Sequence, residues 1–341
     1  MLTLIGYGLD GWKLLPLLAI AIFLATAVHE LGHVCAAKAG SMQPILMGIW
    51  QLGFLFKRKG MSARWIGMMK GIGGFVIAYP HPDRPLRPAM LGFIAGGASA
   101  NFSMAILCWC VASLATDDIA GFCVASFWIN ACFGLANLIP AQFGGYANDG
   151  LQFWHWLRQR DPYPEHALFM RLMGRSVFGD TADKLPVEDV DRLEASGGAM
   201  VLVADWIRVK SAQNRAEWAS VSALALAFET RVDEMPAAFR RGMDELIEVV
   251  RAEAAFSRAL SERDASPIHA LKLSPRANWL SPHLQPRLAA LVHALRGEPA
   301  QARQALQASQ TWAERSVDRA LHRSEPKMRA AVEALLSDEH R

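Results

Sequence analysis

Two histidines and a glutamate lie close together near the start of the chain, in the sequence His29-Glu30-Leu31-Gly32-His33. Residues four positions apart share a face of a helix, so both imidazoles can bind one zinc ion. Glu30 comes three residues before His33, near enough to take a proton from water on that ion. The motif therefore predicts His29 and His33 as ligands of Zn²⁺ and Glu30 as the catalytic base.

A catalytic zinc site also needs a third protein ligand and one open position. Asp149 is the best candidate in the apolar first half of the chain, where it follows the run Asn137-Leu138-Ile139-Pro140 and precedes Gly150. The alternative for Asp149 is a helix N-cap for residues 150–159. His155 is a weaker candidate ligand.

Three long apolar stretches could carry these residues across a membrane. They cover residues 14–37, 88–116 and 119–148, and Glu30 is their only Asp, Glu, Lys or Arg residue. Each exceeds the roughly 20 residues that a transmembrane helix needs. Pro140 and the glycine pair after it predict an early end to the third helix. Ionisable groups inside a span usually serve function, although a polar cluster that holds helices together is the alternative.

The loop between the first two stretches is basic and sets the orientation. Residues 38–87 contain eight lysines and arginines against Asp83 alone, whereas the next link has only Asp117 and Asp118. The positive-inside rule then puts the basic loop and the C-terminal half in the cytoplasm. Residues 39–80 are predicted to be re-entrant or interfacial, with a strand at 73–79. Asp149 and the histidines then both lie at cytoplasmic span ends.

These elements, taken in order, resemble the site-2 protease family of intramembrane zinc metalloproteases over residues 20–160. Besides the histidine motif and the run from Asn137 to Gly150, two segments carry the resemblance: Ala95-Gly96-Gly97-Ala98-Ser99-Ala100-Asn101 and Gly73-Gly74-Phe75-Val76. Gly97 stands where the family has proline, and the element before Asp149 is longer than usual.

The resemblance implies hydrolysis of a peptide bond in or near a transmembrane segment of a protein substrate. The alanine-rich composition, with more arginine than lysine, favours a bacterial cytoplasmic membrane. The resemblance also implies that the edge formed by Gly74, Phe75 and Val76 lies beside the site, where it could hold an unwound substrate by strand addition. Asn101 is predicted to contact substrate or backbone nearby, and helix–helix contact is its alternative.

The predicted fold class is an all-α membrane protein with a three-span core over residues 1–160 and a small membrane-associated β element. Residues 161–341 form a C-terminal α-helical cytoplasmic domain that resembles tetratricopeptide arrays and could dock a protein partner or dimerise. Its helical patterns lie near residues 163–175, 197–212, 214–231, 235–260, 284–297, 299–313 and 315–337. The net charge of +3 is too small to indicate nucleic-acid binding.

Two alternatives to a protease belong to other functional classes. A membrane scaffold could act through its helical domain and keep only a vestigial metal site. The intact Glu30 argues against this, because a site without catalysis does not need its base. A metal transporter is less well supported, because the sequence contains a single clear cluster of ligands.

Overall fold

The computed structural model describes residues 11–67, 73–143, 145–162 and 164–338, most of which are helical. The chain divides into two compact units, the first comprising Met1–Phe56 with Gly60–Pro164 and the second Lys57–Lys59 with Glu165–Arg341. The sequence predicted this division between residues 160 and 161.

Three long helices dominate the first unit: α1 (Gly11–Ala39), α2 (Leu86–Leu114) and α3 (Asp117–Leu138). Each contains a stretch long and apolar enough to cross a membrane, at Leu18–Ala39, Leu86–Leu114 and Ile119–Leu138. The three predicted helical stretches are thus confirmed. The third helix ends two residues before Pro140, as predicted, because proline has no backbone N–H to continue the helical hydrogen bonds.

A four-stranded antiparallel sheet lies between α1 and α2 in the sequence. Its strands are β1 (Gln43–Ile49), β2 (Leu52–Phe56), β3 (Met61–Trp65) and β4 (Gly74–Tyr79), in the order β3-β2-β1-β4. A two-stranded hairpin, β5 (Gln142–Phe143) with β6 (Tyr146–Ala147), precedes helix α4 (Asp149–Arg158). The strand predicted at residues 73–79 is confirmed as β4, and the small β element has three further strands, β1 to β3, that were not predicted.

The turn between β1 and β2 explains why these two strands were not predicted from the sequence. Ile49 pairs with Leu52, so only Trp50 and Gln51 connect the two strands. Trp50 has a φ of 53°, a left-handed conformation that two-residue hairpins usually assign to Asn or Gly. Without that signal, residues 39–56 looked like one interrupted apolar run.

The long helices bury polar side chains and expose apolar ones. Among the described residues, their buried polar side chains are Thr26, His29, Glu30, His33, Asn101 and Asn130. The large apolar side chains that face outward include Leu24, Leu31, Ile106, Leu107, Leu114, Ile119, Trp128 and Leu135. An exterior of this kind is unfavourable in water and favourable in hydrocarbon.

The second unit consists of helices and two short 3₁₀ turns. Its helices are α5 (Leu168–Phe178), α6 (Val187–Ala195), α7 (Ala199–Asn214), α8 (Trp218–Glu234), α9 (Ala237–Gly242), α10 (Asp244–Glu262), α11 (Ser266–His269), α12 (Pro275–Leu280), α13 (Leu284–Leu295), α14 (Pro299–Arg315) and α15 (Arg319–Asp338). The 3₁₀ turns are Glu165–Ala167 and Ala182–Lys184.

The helical character of this unit agrees with the prediction, but its segmentation differs. The pattern over residues 235–260 is two helices, α9 and α10, which meet at Met243. Helices α6, α11 and α12 were not predicted, because segments this short contain too few turns for a helical period to stand out. Buried apolar side chains around Phe228 and around Phe256 form the two main clusters of the core.

Candidate metal centre

Helix α1 brings His29 and His33 to one face, as their spacing requires. Their rings meet edge to face with centroids 4.7 Å apart, and their Nε2 atoms are 3.1 Å apart. Both side chains are almost fully buried. The ring of Phe133, on α3, packs against His29, and that of Phe93, on α2, against His33. Neighbouring helices thus hold the two imidazoles in place.

Asp149 completes a triangle of metal-binding atoms. Its Oδ2 lies 2.9 Å from Nε2 of His29 and 3.1 Å from Nε2 of His33. The described residues contain no other group of three or more His, Cys, Asp or Glu side chains arranged to hold a metal ion. His155, the weaker candidate, is exposed on α4 and does not belong to this group.

The donor atoms suit a small tetrahedral ion. Zinc–nitrogen and zinc–oxygen bonds of about 2.0–2.1 Å separate tetrahedral ligand atoms by roughly 3.3 Å. The observed triangle is tighter by a few tenths of an ångström, so it would have to open only slightly. Two imidazoles and one carboxylate also form a donor set that catalytic zinc sites use.

Burial raises the pKa of Asp149, but hydrogen bonds with His29 and His33 outweigh it and lower this pKa to about 2. The carboxyl group is therefore ionised at neutral pH. An ionised carboxylate is the form that binds a metal ion.

Asn148, rather than Asp149, caps helix α4. Its side-chain oxygen accepts hydrogen bonds from the backbone N–H groups of Leu151 and Ala141. Its amide nitrogen donates to the carbonyls of Asn137 and Ile139 at the end of α3. One side chain therefore ties together the loop before the metal ligand, and Asp149 is left free to face the histidines.

Glu30 lies between the histidines and strand β4. It is close enough to His29 and Asp149 to interact electrostatically with both. Its Oε2 is buried and has no hydrogen-bond partner among the described residues. A Cβ added to Gly74 would collide with this carboxylate, so the strand can approach Glu30 only because it has glycine there. A buried carboxylate oxygen without a partner is costly unless a bound group satisfies it.

Both histidines also form a hydrogen bond through Nδ1, the ring nitrogen that lies away from the donor triangle. Nδ1 of His29 is 2.7 Å from Oδ1 of Asn101, and Nδ1 of His33 is 2.8 Å from the carbonyl oxygen of Phe93. Asn101 is fully buried and also bonds to Ala25 and Asn130. These bonds match the backbone and helix–helix contacts that the sequence offered for Asn101, whose amide is occupied within the helical core.

The other two residues predicted to bind substrate lie on β4 at different faces. The ring of Phe75 covers Gly48 of the neighbouring strand, so it helps to hold the sheet together. Val76 is half-buried against an apolar cluster that includes Val34. Their backbone, rather than these side chains, is what an extended segment could reach.

Gly97 lies against the histidine rings. A Cβ at this position would be 2.5 Å from Nε2 of His33 and 2.6 Å from Nε2 of His29. In the sequence, Gly97 stands out only as a departure from the family pattern, and no role for Asn130 or Asn148 was predicted. A single polar or small residue produces no periodic pattern in a sequence, so its role can be recognised only from its neighbours in the structure.

A scan of protein-family models, a search of curated proteins and a search of solved structures each found no match to this chain.

Proposed function

We propose that this protein is an intramembrane zinc metalloprotease that hydrolyses a peptide bond in or near a transmembrane segment of a substrate protein. The observation that carries the proposal is the triangle of His29, His33 and Asp149 with the unpartnered carboxylate of Glu30 beside it. Nucleophilic water, a metal site and a general base are the parts that metal-assisted hydrolysis needs. The resemblance to site-2 proteases points to the same chemistry.

The proposed location is a membrane, where α1, α2 and α3 span the bilayer. Their exposed apolar side chains and buried polar ones support it. The basic residues between α1 and α2 favour a cytoplasmic position for that segment and for the second unit. Low charge and alanine-rich composition fit a bacterial cytoplasmic membrane.

In the proposed mechanism, His29, His33 and Asp149 hold Zn²⁺ and Glu30 transfers protons. Zinc, when bound, supplies Lewis acidity, which brings the pKa of water down towards about 7 and polarises a carbonyl group. Glu30 takes the proton of the water that attacks the scissile carbonyl carbon, and later gives it to the leaving amine. Its burial beside the donor triangle suits it for both steps.

Strand β4 is the proposed binding edge for substrate. It is the last strand of the sheet on the side away from β2 and β3. An intact transmembrane helix uses all its backbone groups internally, so a substrate must unwind before its carbonyl can react. No other described strand pairs with this edge, so it can pair with the unwound segment, and Gly74 brings it next to Glu30.

Cleavage of single-span substrates by wild type and Glu30→Gln, in membranes that contain both enzyme and substrate, tests the proposal. We expect the variant to lose cleavage by at least about 10²-fold, because the amide cannot accept the proton. Its zinc content should stay close to that of wild type, since Glu30 is not a ligand. Equal cleavage by both proteins would refute the protease mechanism. Retained zinc with no cleavage of any substrate by wild type would favour the scaffold alternative.

A further inference from the structure

The hydrogen bonds behind His29 define which of its nitrogens has the proton. The amide nitrogen of Asn101 lies 3.0 Å from the backbone carbonyl of Ala25, which can only accept a hydrogen bond. The NH₂ group of Asn101 must therefore point that way, and its Oδ1 must face His29. An oxygen acceptor at 2.7 Å requires a proton on Nδ1 of His29.

Asn130, on α3, fixes the same orientation of the Asn101 amide, although it does not itself form a hydrogen bond with His29. Its amide nitrogen donates to the carbonyl of Ser126, one turn earlier on the same helix. Its Oδ1 is thereby turned towards Asn101 and accepts the second amide proton of that residue at 3.0 Å. Asn130 is almost fully buried, and no water is needed to complete this arrangement. The chain of hydrogen bonds runs in one direction, from His29 through Asn101 and Asn130 to Ser126.

We propose that Asn130 and Asn101 are positioning residues that hold His29 in the tautomer whose Nε2 lone pair faces the metal. The inference rests on the proposed metal site. With Nδ1 protonated, Nε2 of His29 is the nitrogen left to give a lone pair to a metal ion, at the point that it shares with Oδ2 of Asp149 and Nε2 of His33. A partner on the far nitrogen of a metal-binding histidine also fixes the ring and raises its basicity, and losing it weakens metal binding by about 10–100-fold.

The two histidines are held by different means. His33 relies on the backbone carbonyl of Phe93, which no side-chain substitution removes. His29 relies on a side-chain relay through two helices, α2 and α3. Metal affinity should therefore depend on Asn101 and Asn130, although neither residue touches the metal-binding atoms of the triangle.

The test measures the Zn²⁺ dissociation constant of the full chain in detergent, by competition with a chromophoric chelator. Asn101→Leu keeps the branching of the side chain but removes the acceptor, and should raise the constant by about 10–100-fold. Asn130→Leu should raise it less. Asn101→Asp keeps an acceptor for Nδ1 and should bind more tightly than Asn101→Leu. Co²⁺ absorption should change in the same order, because it reports the ligand geometry.

Thr26→Val is the matched control. Thr26 is buried on α1, one turn before His29, and bonds only to the carbonyl of Ile22 on its own helix. Thr26→Val should leave the Zn²⁺ dissociation constant unchanged. A general loosening of the helices would instead raise the constant of every variant, Thr26→Val included. Should Asn101→Leu fail to fold, Asn130→Leu decides the question.

Equal zinc constants for wild type, Asn101→Leu and Asn130→Leu would overturn the relay and leave the protease proposal intact. If the constants follow the expected order while Glu30→Gln still cleaves substrate, the relay stands and the protease proposal fails. Wild type that binds no Zn²⁺ would overturn both.

Discussion

At the scale of single residues, two glycines shape the site because they have no side chain. Gly97 leaves room for two imidazoles at a point where a methyl group would overlap both of them. Gly74 does the same for the carboxylate of Glu30. Packed interiors cannot absorb even one extra carbon without movement, so these glycines set the position of the reacting groups.

Gly97→Ala should weaken zinc binding and abolish proteolysis, because the new methyl group would push His29 and His33 apart. Zinc content of purified protein and cleavage in membranes measure the two effects. Gly92→Ala, on the same helix, is the matched control, since a Cβ there meets nothing within 4 Å. A Gly97→Ala protein with full zinc content and activity would contradict the packing described above.

At the scale of elements, helix α4 is held at both ends. Asn148 caps its start, next to the proposed ligand Asp149. Arg87, in the first turn of α2, donates to the carbonyls of Trp156 and Leu157 at its end, at 3.1 and 2.6 Å. These two anchors connect the position of Asp149 to the helices that contain the histidine cluster.

Arg87→Ala should raise the zinc dissociation constant several-fold, because α4 loses hydrogen bonds worth about 1–2 kcal/mol. The same chelator competition measures it. The exposed neighbour Arg84 has no comparable side-chain bond to α4, so Arg84→Ala should bind zinc like wild type. Identical constants for all three proteins would show that α4 does not depend on Arg87.

The edge of β4 allows a second test at this scale. Trp50 donates its backbone N–H to Gly73, so in the alternation of an antiparallel pair the N–H of Val76 points away from β1. Val76→Pro removes that outward N–H and leaves the ladder to β1 in place. We expect a higher KM for cleavage and unchanged zinc content.

Ala63→Pro provides the control for this edge. Ala63 occupies the equivalent outward position on β3, the opposite edge of the sheet, because Ile66 donates to Gln51. Its cleavage kinetics should match wild type. Equal kinetics for Val76→Pro and Ala63→Pro would argue against strand addition at β4.

At the scale of the whole molecule, both units bury polar side chains, but they differ in what surrounds them. The first buries its site among helices with apolar exteriors. The second has an apolar core crossed by buried charges, in which fully buried Arg287 bonds to Glu253 and Glu325. Lys210 also pairs with Glu253, at 2.8 Å. Helices α7, α10, α13 and α15 are joined by this network.

Arg287→Ala should destabilise the second unit by about 3–5 kcal/mol, because two buried carboxylates lose their main partner. Hydrogen exchange of the full chain, followed over the α10 and α13 peptides, measures the loss. Arg251→Ala removes an exposed pair with Glu229 on α8 and should cost less than about 1 kcal/mol. Equal exchange in both variants would refute a structural role for the buried pairs.

The same network predicts acid sensitivity. Burial lowers the pKa of His283 to about 4, and the unfolded chain, with the ordinary value of 6.5, binds its proton first. The contribution of His283 to stability should therefore fall as the pH drops from 6.5 to 4. Glu253 adds a loss at lower pH: although burial opposes ionisation, Arg287 and Lys210 lower its pKa from 4.5 to about 2. Hydrogen exchange against pH tests this, and between pH 6.5 and 4.5 His283→Gln should lose less stability than wild type.

Features that depend on local spacing could be predicted from the sequence alone. His29 and His33 share a face because four residues make about one helical turn, and the three long helices follow from length and apolar composition. The end of α3 before Pro140 also follows from local chemistry.

Features that depend on residues far apart in the chain follow from how the helices and loops pack. Asp149 lies 120 positions from His29, and its place next to the histidines depends on how α3, α4 and the loop between them pack. The sequence left open whether Asn101 contacts substrate, backbone or another helix, and the packing of three helices turned it towards His29, Ala25 and Asn130. Strands β1 and β2 were not predicted because their turn uses Trp50 where a pattern expects Asn or Gly. Long-range packing and unusual turns produce no periodic pattern in a sequence, so they can be recognised only in the three-dimensional structure.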